Sequence, residues 1–401
     1  MLSSKACNER LFSLNDPVRS WSFPAAPLLS DRSSWMFFIA AFLVPVSLLW
    51  DFSWESTVGV DLFWSLPHML TYAAMALAFV GAASSMRIAP HAPNSPSDRD
   101  RFGPVSAPLG GWLVAWGALA FFTAVLFDRW WQSAYGLQAG IWHPPQLLKA
   151  SAFFAILGGA WLLAASVQNQ TTAPALLAPI LFSVAGGCLV AMIATVTLTS
   201  SYPNWQHSAS FYKIASVTYP LVLTAVATAG RLRWSATLAA LVYTILLAGM
   251  LWTLPLFKAQ PLTGPIYNRL DHLMPPPFPL LLIVPALGMD WLAKQFSWPA
   301  WRTIDWLKPV PLGLAFFIPF FGVQWGFSQF LLTSQADNWF FAGGGAHWPF
   351  FLKISPPARV MFWNSPSDMM NWSNAFTAAG LSIISARLGL WLGSWLSRLR
   401  R

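Results

Sequence analysis

Asp51, Glu55, Asp61 and His68 fall within eighteen residues of a chain in which only 9% of residues are charged, and they sit between two long apolar runs. If the first helix continues a turn past Trp50, Asp51 and Glu55 become i,i+4 neighbours on one face. His68 opens the next helix and in a hairpin returns to face them. Two carboxylates and an imidazole form a first shell suited to a divalent transition metal, and helix-only scaffolds bind metals with such side chains. Asp51, Glu55 and His68 are therefore the expected metal ligands. The alternative is a helix end at the water interface, with His68 hydrogen-bonded to loop backbone.

The stretch has a partial copy. Asp51-x-x-Trp54-Glu55-Ser56-x-x-Gly59 returns as Asp128-x-x-Trp131-Gln132-Ser133-x-x-Gly136, followed in both cases by Trp and Pro with one residue inserted. Matches at five spaced positions imply duplication of a helix-loop-helix unit, about 34–86 and 110–167. In the copy Gln132 and Gln146 occupy the ligand-like places, and amides are poor metal ligands. Asp61, Asp128, Gln132, Gln146 and Lys149 are expected to support the first site or to mark its altered copy. A lysine inside an apolar span needs a partner or a cavity, and Asp128 or Glu55 are its candidates.

On these residues the chain resembles one of the membrane subunits of the copper membrane monooxygenases, the particulate methane and ammonia oxidisers. It is also similar to uncharacterised bacterial membrane proteins with a Trp-Asp-x-x-Trp-His signature. Asp51, Trp54, Asp61, Trp64, Ser65 and His68 match the family pattern at its spacing, and Glu55 stands where the pattern has its first His. The resemblance implies a copper site, oxidation of a small apolar substrate at the outer membrane face, and partner membrane subunits or a homo-oligomer. Glu in place of His adds a hard oxygen donor, which also suits iron, manganese or zinc.

The elements that must position these residues are membrane helices. A 401-residue chain with 56% hydrophobic and 16% aromatic residues and a mean hydropathy of +0.52 is an integral, all-α membrane protein. Its 25 Trp residues gather near the ends of apolar runs, as interfacial anchors do. Ten spans are expected, roughly 34–50, 66–86, 110–127, 146–167, 175–199, 211–229, 235–256, 278–294, 309–332 and 371–395. Residues 1–33 read as a cytoplasmic tail and 396–401 as a basic cytoplasmic tail, with the transmembrane domain between them. Loop 87–108 reads as a mobile cytoplasmic connector, and the outer segment from Thr333 to Asn371 as one that dips into the interface.

With both termini inside, sixteen Lys and Arg fall in cytoplasmic segments against six outside. That asymmetry fits an integral protein of a bacterial inner membrane and explains the pI near 9.9 without nucleic acid. Two cysteines exclude a disulfide framework, and without CxxCH or a nucleotide fingerprint, electrons for an oxidoreductase would come from a partner. Transport and a structural subunit with a dead site remain the other function classes. Both motif copies are placed on the outer face. Single cysteines introduced in loop 87–108 are expected to resist labelling by impermeant thiol reagents in intact cells, and labelling from outside would overturn this topology.

Overall fold

The computed structural model describes residues 32–59, 63–88, 100–102, 105–136, 143–171, 176–262, 271–296, 305–342 and 368–400. Ten α-helices carry the fold: α1 Arg32–Thr57, α2 Leu66–Ser85, α3 Leu109–Tyr135, α4 Pro144–Gln170, α5 Leu177–Val196, α6 Ala209–Ala229, α7 Ser235–Thr253, α8 Ile283–Gln295, α9 Pro309–Leu331 and α10 Trp372–Leu396. Among the described residues nine helical segments are long and apolar enough to cross a membrane. Their outward faces are apolar too, as Leu126 at 75% and Phe376 at 73% exposure show. Lipid rather than water is the solvent such faces suit.

The eighth crossing departs from the expected single helix. α8 has 13 residues, about 20 Å at helical rise, too short to span alone. The chain from Leu273 to Leu282 enters the bundle as a largely buried, non-helical stretch. Pro275, Pro276, Pro277 and Pro279 explain it, because each lacks an N–H and disfavours helix in the residue before it. The remaining donors find side chains: Leu280 N–H donates to Tyr243 Oη at 2.8 Å and Leu281 N–H to Gln324 Oε1 at 2.9 Å. Gln324 in turn donates to Gln206 Oε1 at 2.7 Å. Leu273 N–H meets Phe257 O just beyond α7, whereas Asp290, late in α8, reaches the first turn of α7. Stretch and helix together therefore run the full length of α7.

Small residues let the helices approach. A Cβ on Gly110 of α3 would lie 2.4 Å from the Gly159 carbonyl of α4, so the two backbones touch. α6 and α10 cross as closely where Gly389 meets the Leu221 carbonyl. α2 and α3 are joined by a three-stranded antiparallel sheet rather than an irregular connector: β1 Arg87–Ile88, β2 Asp100–Phe102 and β3 Val105–Ala107, in the order β1-β3-β2. Asn169, at the end of α4, donates to Leu396 O, so α10 ends beside α4. Residues 1–31, most of the outer segment and His347 lie outside the described residues.

Gly110→Val is expected to force α3 from α4 and cost on the order of 1–3 kcal/mol, read as lower thermal stability in detergent. Gly249→Ala, where an added Cβ meets nothing within 4 Å, should be neutral or mildly stabilising.

Candidate metal centre

α1 does continue past Trp50, to Thr57, so Asp51 and Glu55 are helical and one turn apart. α2 begins at Leu66 with Pro67 in its first turn, which makes His68 its third residue. The hairpin brings His68 Nε2 to 3.5 Å from Asp51 Oδ1, with both side chains mostly buried. Glu55 is exposed, and Asp61 lies outside the described residues. Behind the pair, Met274 N–H donates to Thr57 Oγ1 at 2.9 Å and Leu262 N–H to Val58 O at 2.9 Å. The motif is thus docked on the entry to the interrupted eighth crossing.

The second copy ends its helix in the same way. Gly59 and Gly136 have φ of +113° and +85°, a backbone region that glycine tolerates and other residues avoid. Trp54 and Trp131 both lie in the closing turn of their helices, and Pro67 and Pro145 in the opening turns that follow. Gln146 is the third residue of α4, the place His68 holds in α2. The basic partner sits one turn deeper: Lys149 Nζ meets Asp128 Oδ2 at 2.6 Å, and Gln132 Nε2 donates to the same oxygen at 3.2 Å.

The two hairpins therefore solve one electrostatic problem differently. Asp128 is neutralised by an ammonium inside the protein, with neutral Gln132 beside it. Asp51 has Glu55 in the place of Gln132 and an imidazole in the place of Gln146. Of these motif residues, the first set carries two acids against one base of ordinary pKa near 6.5, a grouping that favours a bound cation or proton.

The outer-face histidines do not gather around His68. His143 precedes α4. His207 is packed edge-on to Trp325 with 4.7 Å between ring centroids, and its Nε2 lies 3.2 Å from Ser328 Oγ. Burial pushes the His207 imidazole down to about 4, so it is neutral at pH 7. His272 pairs with Asp271 at 2.7 Å. Among the described residues no group of three or more His, Cys, Asp or Glu side chains is assembled for a metal.

Sequence reasoning missed the polar layer of Tyr243, Gln324, Gln206 and Ser328 behind this edge. It also missed the capping of α7 by Asp290, whose two oxygens accept from Ala236 N–H, Thr237 N–H and Thr237 Oγ1. The proline run from Pro275 was the available signal for the first. Comparison with family models, curated proteins and solved structures returns no significant match.

Lys149→Met is expected to strand the Asp128 carboxylate and cost about 3 kcal/mol, while Asp128→Asn with Lys149→Met should recover most of that loss. Thermal unfolding of the singles and the double measures the coupling, and strict additivity would show that the pair is not a unit.

Proposed function

We propose that this chain is a membrane-embedded metal-binding protein, with Asp51 and His68 holding a divalent transition metal at the edge of the first hairpin. The carrying observation is their 3.5 Å separation. That is long for a hydrogen bond. Two donors on one tetrahedral ion at zinc-like distances are about 3.4 Å apart. Glu55, on the same helix face, adds negative charge where the second hairpin has a neutral amide. The described residues supply a pair of donors rather than a closed cage, so solvent or Glu55 would complete the coordination. Such an ion would act as a Lewis acid or redox centre for a small apolar substrate, which is the chemistry the motif's resemblance implies. The chain's part is to place one carboxylate and one imidazole on two helix ends fixed by Gly59 and Pro67. The donor types accept copper, iron, manganese or zinc.

A second reading, transport, is favoured by the interrupted eighth crossing, since broken spans near buried polar groups are how many transporters form their sites. Metal analysis of the purified, dialysed protein tests the first reading. His68→Ala should lose most of the metal, and His91→Ala should lose none. Equal metal content in both variants and the wild type would overturn the resident centre. Metal accumulation inside vesicles containing the protein, with none retained by the washed protein, would establish transport instead.

A further inference from the structure

At the end of the bundle opposite the metal edge, the last turn of α8 meets the first residues of α7. Trp234 immediately precedes α7 and is 37% exposed. Two cations share its ring: Lys294 Nζ lies 3.7 Å from the indole centroid and Arg233 Cζ 5.3 Å. Cations at one aromatic ring are attracted by its face but repel each other. The nearby Asp290 carboxylate is committed to the α7 amides and the Thr237 hydroxyl. Arg231, on the same rim, is tied to the backbone carbonyls of Thr171 and Asn169.

A stripe of exposed apolar side chains on α8 leads to this pair. Val284, Leu287 and Trp291 are 40%, 43% and 56% exposed and recur at helical spacing, with Lys294 one turn beyond Trp291. An apolar track ending in two cations has the shape and polarity of a phospholipid in profile. The acyl chain would lie along the track, and the headgroup phosphate would bridge Lys294 and Arg233. Arginine offers a planar fork to two phosphate oxygens and lysine a point charge to the third. Bridging also relieves the repulsion between the two cations.

We propose that Arg233, Trp234 and Lys294 form a binding site for one anionic glycerophospholipid of the surrounding leaflet. The site is independent of the metal reading, because it shares no residue with it and lies at the other end of the helices. Basic pockets between membrane helices recognise acidic headgroups by this combination of charge and groove.

Native mass spectrometry of the full chain in detergent, titrated with phosphatidylglycerol, phosphatidylcholine or inorganic phosphate, tests it. Phosphatidylglycerol should be retained at least tenfold more tightly than phosphatidylcholine, and inorganic phosphate should not displace it. Arg233→Gln with Lys294→Gln should abolish that preference, whereas the charge-conserving exchange Arg233→Lys with Lys294→Arg should keep most of it. If the first double variant does not fold, Arg233→Glu, at an exposed position, carries the test and should weaken phosphatidylglycerol binding about tenfold. An unchanged preference in the glutamine or glutamate variant, equal loss in the charge-conserving exchange, or displacement by inorganic phosphate would each overturn the lipid site.

Discussion

Inside a bilayer a backbone amide has no water to bond with, so each N–H and C=O must be satisfied by the protein itself. Nine segments of this chain meet that demand in the ordinary way, as long helices. The tenth crossing meets it by subtraction and substitution. Four prolines delete donors from the non-helical stretch, and Tyr243 and Gln324 supply acceptors for Leu280 and Leu281. Gln206 then satisfies Gln324, and its own amide donates to Ser201 O at 2.6 Å. Removing any one of these side chains would leave a polar group in the bundle interior with no partner. This layer fixes the spacing of α7 and α9 and supports the loop on which the motif hairpin rests.

The same economy governs charge. A carboxylate at the closing turn of a membrane hairpin is costly unless something positive faces it. Duplication produced two such carboxylates, and the copies diverged in how each is compensated. One hairpin carries its cation permanently, as Lys149. The other retains an imidazole at the shallower position and a second acid one turn away. An internal ammonium and a captured cation are alternative answers at equivalent places, so the second hairpin serves as a control for the first within one molecule.

Much of the fold was legible because bilayer-length apolar runs are a strong signal, and the two hairpins were legible because Gly59 and Gly136 recur at one distance from Asp51 and Asp128. The pairing of Lys149 with Asp128 was legible for an energetic reason, since a buried ammonium narrows its own choice of partner. The eighth crossing was not. Hydropathy over 278–294 counts apolar atoms and is blind to whether the backbone is helical, while the decisive residues, Tyr243 and Gln324, lie 37 and 43 positions away from the amides they bond. The sheet of β1 to β3 was hidden because its strands are two or three residues long, too short for any period to show.

The interrupted crossing also constrains how the chain is made. A helix carries its own hydrogen bonds and can leave the insertion machinery as soon as it is synthesised. The stretch from Leu273 to Leu282 cannot, because one of its acceptors, Gln324, is translated more than forty residues later. Until α9 emerges, that acceptor is missing. The eighth and ninth crossings are therefore a single unit of biogenesis, laid against an already placed α7, and a ribosome stalled between them would hold a segment that belongs neither to the lipid nor to the water.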